Sequence, residues 1–137
     1  MRRLQPPRSP VHTAFWVDAA FEFVAGGAQL LLSDSIGRWL NVDRALIVTS
    51  GVVFIGAALA IALFALQAHP RRGVVSALAA ANLAGGAAIW FMVALRWSEF
   101  APQGRWLAAA VADSFVAVAL LEFLALRRTT HPTSVSG

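Results

Sequence analysis

Four acidic residues of this 137-residue chain lie inside long apolar stretches, where charged side chains are rare: Asp18, Glu22, Asp113 and Glu122. A charged side chain at the centre of a bilayer costs about 2.5–3.5 kcal/mol on insertion scales, so an acid there usually has a role. Such carboxyls bind and release protons or cations in pumps and transporters. They also hydrogen-bond neighbouring helices to one another. The sequence leaves both explanations open.

The first apolar stretch carries a polar stripe. Around a helix, Asp18 and Glu22 are about 40° apart and Gln29 is about 20° from Asp18. Gly26 and Ser33 border the same side. We therefore expect this stripe to face the interior of the protein or a partner, and not lipid.

The two acids of the last apolar stretch point in opposite directions. Asp113 and Glu122 are nine residues apart, which is about two and a half helical turns. Asp113 shares its side with small residues, so we predict that it joins the interior stripe. Glu122 lies near the end of its stretch, and we predict that it snorkels to the interface to meet Arg127, Arg71 or Arg72.

Four apolar stretches position these side chains, at about residues 14–33, 45–67, 73–95 and 106–126. Each is close to the ~20 residues that a helix needs to cross a bilayer. Because the connections are short, we predict one all-α integral membrane domain over residues 1–137, a transmembrane four-helix up-down-up-down bundle. The Pro-, Ser-, Thr- and Arg-rich tails at 1–12 and 129–137 are expected to be disordered. The first connection is either a short helix in the outer interface or an irregular loop.

The composition excludes an ordinary soluble domain. Hydrophobic residues make up 58% of the chain and charged residues 13%, against roughly 25% charged in a typical soluble domain. The absence of Cys excludes disulfides and thiol chemistry. The basic residues are all Arg and lie between the apolar runs, so we expect no nucleic-acid partner despite the high isoelectric point.

The Arg distribution predicts the orientation. The side that holds the two tails and the second connection carries seven Arg and no acid, whereas the other side carries four Arg offset by three acids. Both termini are therefore expected in the cytoplasm. We expect a multi-pass protein of the cell membrane, in the bacterial inner membrane.

The depth of each polar residue within its apolar stretch suggests which of these residues pair. Counting ~1.5 Å per residue from the Arg-rich side puts Glu22 and Asn82 at about 12 Å, and Gln29 and Asp113 at about 20 Å. We therefore expect Glu22 to pair with Asn82 and Gln29 with Asp113. No Arg, Lys or His lies deep in a stretch, which favours neutral carboxyls. These four residues and Asp18 are our candidates for binding protons or cations.

No familiar catalytic or metal motif is present. His12, His69 and His131 all lie outside the apolar stretches, where we expect them to be solvated. No zinc or di-iron spacing and no nucleophile motif occurs. We expect no enzyme activity, no metal and no cofactor.

Several short motifs carry a resemblance over most of the chain. They are Asp18 in Trp-Val-Asp-Ala-Ala, the Pro/Arg turn after the second stretch, Asn82 in Ala-Ala-Asn-Leu-Ala and the Leu-Arg-Arg ending at 126–128. With these motifs the chain is similar to small four-span bacterial integral membrane proteins of unknown function. The resemblance implies the fold and no activity.

A weaker resemblance rests on Glu22 in the first stretch and Trp90 in the third, within Ala-Ile-Trp at 88–90. These residues look like those of a small multidrug resistance transporter. That resemblance implies that Glu22 exchanges protons for cationic drugs. The chain departs from the family in having no Tyr, three further intramembrane acids and a long first connection.

The function predicted from the sequence is that of a non-enzymatic accessory, assembly or structural subunit that buries its polar stripe. The alternative is a proton- or cation-coupled small transporter, in which Glu22 and Asp18 titrate while Asn82, Gln29 and Asp113 orient them. The expected partners are the lipid bilayer and either a second copy of the chain or another membrane subunit.

Overall fold

A computed structural model describes residues 9–67 and 71–128 of the chain. Within these ranges all regular structure is helical, which confirms the predicted all-α class. There are five helices, α1 at Pro10–Leu31, α2 at Ser33–Leu40, α3 at Arg44–Ala65, α4 at Arg72–Leu95 and α5 at Pro102–Arg128.

Three of these helices, α3, α4 and α5, are long and apolar enough to cross a membrane. α1 and α2 pass the same criterion only as a pair, and the pair is bent by 89°. The described residues therefore contain three candidate spans, or up to four if the bent pair is one span.

Helix α1 begins at Pro10, four residues before the start that apolarity predicted. The side chain of Ser9 caps the helix by accepting a hydrogen bond from the backbone N–H of His12, at 3.4 Å. Pro10 suits the first turn because its missing N–H would have no partner there. Residues 10–12, which were assigned to a tail, are thus helical. The remaining tail residues, 1–8 and 129–137, lie outside the described residues.

The first connection is largely helical, so the helical alternative is the one that forms. Helix α2 buries Ile36 and Gly37 and exposes Asp34 and Arg38. It ends at Asn41, which has a left-handed backbone conformation with φ of 50°. Asn tolerates this conformation better than most residues do, which explains why the helix stops there.

Glycines allow the helices to approach closely in pairs. α1 packs along α3, and α4 packs along α5, while α1 also contacts α5. A Cβ on Gly26 of α1 would lie 2.8 Å from the carbonyl oxygen of Gly51 on α3. A Cβ on Gly86 of α4 would lie 2.9 Å from the carbonyl oxygen of Ala112 on α5. Small residues at these contacts are what membrane helices use to pack tightly.

Two apolar clusters mark the two ends of the helices. One contains Phe15, Ile61, Val75 and Ala125, from the start of α1, the end of α3, the start of α4 and the end of α5. The other contains Val93, Phe100 and Ala108 from α4, α5 and the segment between them. Between the clusters, the ring of Phe115 on α5 meets Phe21 on α1 and Phe54 on α3 edge to face.

Candidate functional site

The amide of Asn82 joins three helices in the interior. Its Nδ2 donates one hydrogen bond to Oδ2 of Asp18 on α1, at 3.3 Å, and one to Oε2 of Glu122 on α5, at 3.2 Å. Asp18 and Glu122 are both 0% exposed, and Asn82 is 5% exposed. One side chain on α4 therefore holds an acid from each of two other helices.

The carboxyls of Asp18 and Glu122 both accept from Nδ2 of Asn82, so the two acids lie close together in the interior. Two ionised carboxylates this close together and away from water repel each other. The arrangement therefore favours a proton on one of the two acids, while the two N–H groups of Asn82 satisfy one oxygen of each.

Two oxygens of the pair have no partner within the described residues. These are Oδ1 of Asp18 and Oε1 of Glu122. A buried polar atom without a hydrogen bond is uncommon and costs free energy. Each oxygen is thus an open acceptor for a further donor or proton. The network can fasten the helices, and its open oxygens can also accept a proton.

Glu22 is the third buried carboxyl of this site, at 6% exposed. It lies one turn after Asp18, on the same buried side of α1. The predicted pair of Glu22 with Asn82 does not form, because the amide donates to Asp18 and Glu122 instead. Counted from the start of α1, Asp18 and Glu22 lie about 12 Å and 18 Å into the helix, on either side of the ~15 Å depth of Asn82. Depth alone therefore does not decide between them, and Asn82 meets the acid that lies beside Glu122.

Glu122 does not snorkel, so that prediction is wrong. Helix α5 continues to Arg128, and Glu122 faces inward with no exposed surface. The buried side of α5 carries Phe115 and Val118 in line with Glu122, together with the small residues Ala112, Ala119 and Ala125. The small residues Ala110 and Ala117 on the opposite side are exposed. Small size therefore does not decide which residues of α5 face inward, and Glu122 is buried on the side that contains Phe115.

Asp113 does not join the interior stripe, so that prediction is also wrong. Its side chain is exposed, and its Oδ1 accepts a hydrogen bond from Nε1 of Trp90 on α4, at 3.0 Å. The expected pair of Gln29 with Asp113 is therefore not formed. Gln29 is half-buried, and its Oε1 has no hydrogen-bond partner within the described residues.

The Arg residues predicted to meet Glu122 lie at the ends of their helices. Arg71 caps α4 and is exposed. The guanidinium carbon of Arg127 lies 5.8 Å from the centre of the Phe123 ring, a cation–π contact on the outside of α5. Glu122 accepts a hydrogen bond from Asn82 in the interior, and not from these surface positions.

His12 connects two helices, and the prediction that it is merely solvated is wrong. Its Nε2 lies 2.9 Å from the carbonyl oxygen of Gln67 at the end of α3, and its Nδ1 lies 2.7 Å from Oγ of Ser9. His69 and His131 lie outside the described residues. Among the described residues, no three His, Asp or Glu side chains are grouped to hold a metal ion.

The assignment of function depends on this geometry. No protein-family model, curated protein or solved structure gives a significant match to the chain.

Proposed function

We propose that this chain is a non-enzymatic integral membrane protein, an accessory or assembly subunit whose buried polar network fastens its own helices. The observation that carries this proposal is the bridge from Asn82 to Asp18 and Glu122. Both acids are fully buried, and a transporter needs an aqueous path to its titrating groups. Hydrogen bonds between membrane helices stabilise packing by about 0.6 kcal/mol each, so the two bonds of Asn82 suit a structural role.

The proposal includes a four-span up-down-up-down bundle in the bacterial inner membrane, with both termini in the cytoplasm. Large apolar side chains on the outer surface support a membrane location, since Leu63, Phe91 and Leu95 are each at least 66% exposed. Such surfaces suit lipid better than water. The Arg-rich side supports the orientation. The exposed Trp97 and Trp106 support an interface at the opposite end.

Single cysteines test this topology cleanly because the chain has none of its own. Ser35→Cys and Ser98→Cys mark the first and third connections, and Gly73→Cys marks the start of α4. We expect a membrane-impermeant maleimide to label the two serine positions in intact cells, and Gly73→Cys only after permeabilisation. Labelling of Gly73→Cys alone in intact cells would show the opposite orientation. Labelling of all three positions in intact cells would contradict a four-span topology.

A second candidate function, proton-coupled transport, is favoured by one specific observation. The buried pair of Asp18 and Glu122 has two unpartnered oxygens, and a third buried acid, Glu22, lies one turn from Asp18 on α1. Chains of carboxyls of this kind relay protons in pumps and transporters. In this alternative, Asp18, Glu22 and Glu122 carry protons and Asn82 orients them.

Ion flux separates the two functions. The full chain is reconstituted in liposomes that contain a pH dye, and a potential or a cation gradient is imposed. The accessory function predicts no flux above that of empty liposomes for the folded wild type, Glu22→Gln and Glu122→Gln. The matched control is Asp113→Asn, which changes an exposed acid of the same helix as Glu122. Flux that is present in the wild type and in the control, but lost in Glu22→Gln or Glu122→Gln, would replace the accessory function with transport.

A further inference from the structure

A groove runs along the seam between α1 and α5, at the Arg-rich end of the helices. Its volume is about 360 Å³, within the ~300–1,000 Å³ range of small-molecule sites. Its walls are apolar, formed by Ala14 and Val17 on α1 and by Leu121 and Leu124 on α5. Val17 is 41% exposed and Leu124 is 47% exposed, so the groove opens to the outside of the helix pair.

The polar groups of the groove lie at one end. Arg128 is the last residue of α5, and Thr13 lies in the first turn of α1. Arg128 is exposed and makes no salt bridge within the described ranges. The groove thus combines an apolar trough with a cation and a hydroxyl at its mouth.

The charge around this mouth is of one sign. Arg71, Arg72, Arg127 and Arg128 all lie at this end of the helices. The acids of the same half, Asp18, Glu22 and Glu122, are buried and face the interior. An occupant with a negatively charged head and an apolar tail is complementary to both parts of the groove.

We propose that this groove binds an anionic phospholipid of the surrounding bilayer, with its phosphate at Arg128 and one acyl chain between Val17 and Leu121. Basic pockets between membrane helices bind anionic headgroups by this chemistry. Thr13 supplies a hydroxyl donor beside the cation. A free inorganic phosphate would use Arg128 but not the apolar walls, so the lipid is the occupant that uses the whole groove.

The groove is formed by residues next to the buried acids in the sequence. Val17 precedes Asp18 on α1, and Leu121 precedes Glu122 on α5. The walls of the groove and the carboxyl pair therefore belong to the same two helical segments, on different sides of one seam. A bound acyl chain covers this seam from the outside and keeps the segments that carry the pair together.

Native mass spectrometry of the purified full chain tests the proposal, with phosphatidylglycerol and phosphatidylcholine added in equal amounts. We expect the wild type to retain phosphatidylglycerol preferentially. Arg128→Gln should lower that preference about five-fold, the effect of one Arg near an anionic membrane surface. Val17→Trp fills the trough and should lower retention of both lipids. The control is Arg38→Gln, which removes an exposed Arg from α2 and should match the wild type.

Three results would overturn the proposal. The first is equal retention of the two lipids by the wild type, and the second is an equal effect of Arg128→Gln and Arg38→Gln. The third is normal retention by Val17→Trp, which would show that diffuse basic charge binds the lipid without the groove. Leu124→Trp fills the trough from the other wall, and it replaces Val17→Trp in this test if Val17→Trp does not fold. Helical circular dichroism checks folding in each variant.

Discussion

The Nδ2 amide of Asn82 on α4 lies 3.2 Å from Oε2 of Glu122 on α5, in the interior of the protein. The two helices already pack along each other, so this bond does not bring them together. Its importance lies in the other hydrogen of the same amide, which reaches Asp18 on α1. The amide thereby connects the α4–α5 pair to the α1–α3 pair.

Replacing Asn82 with Leu should therefore destabilise the protein. The change removes both N–H donors and leaves two buried acceptors unsatisfied, which costs about 1–3 kcal/mol. The free energy of unfolding, measured in mixed micelles by denaturant titration, should fall by that amount. Asp113→Leu is the matched control, because it removes an exposed hydrogen bond worth about 0.6 kcal/mol. Equal stability of Asn82→Leu and the wild type would show that the bridge contributes nothing.

The close, buried carboxyls of Asp18 and Glu122 predict an infrared signature. At neutral pH the wild type should show the C=O stretch of a protonated carboxylic acid, because two neighbouring carboxylates away from water repel each other when both are ionised. Asp18→Asn and Glu122→Gln should each remove or shift this band, since each removes one acid of the pair. Asp113→Asn should leave it unchanged. A spectrum in which every carboxyl is ionised would contradict a proton on this pair.

Gly26→Ala should loosen the contact between α1 and α3. The added Cβ would lie 2.8 Å from the carbonyl oxygen of Gly51 and 2.9 Å from Cβ of Phe54, and backbone atoms cannot move away easily. Overpacking of this kind costs about 1–3 kcal/mol. The neighbouring Gly27 has nothing within 4 Å of its added Cβ, so Gly27→Ala should be neutral or stabilise the helix by about 0.5–1 kcal/mol. Unfolding curves in which Gly27→Ala is less stable than Gly26→Ala would contradict this packing.

Apolar stretches predicted the long helices well, because crossing a bilayer demands about 20 apolar residues whatever the surroundings. The start of α1 was missed because a side-chain cap at Ser9, and not hydrophobicity, determines it. The depth of a residue in a helix depends on where the helix begins. Capping signals such as Ser9-Pro10 mark that beginning in the sequence.

The face of α5 was harder to predict. Helical geometry shows that only one of Asp113 and Glu122 can face the interior, but it does not say which one. Small residues beside Asp113 suggested close packing, but α5 carries small residues on both sides, and the buried ones, such as Ala112 and Ala119, lie on the side of Glu122. The signal for Glu122 was its regular spacing with Phe115 and Val118, which are buried on the same side. Which side is buried depends on the other helices, and one helix considered alone does not contain that information.

His12 should hold the start of α1 against the end of α3. A carbonyl oxygen only accepts hydrogen bonds, so Nε2 carries the proton toward Gln67, and Nδ1 is left to accept from the hydroxyl of Ser9. His12→Ala removes both bonds and should cost about 1 kcal/mol. Hydrogen exchange should accelerate in the first turn of α1 and around Leu66 and Gln67, while the middle of α3 stays protected. Thr13→Ala, at the next and exposed position, is the control. Uniform exchange across α3 in His12→Ala would show that the contact does not hold this end of the helix pair.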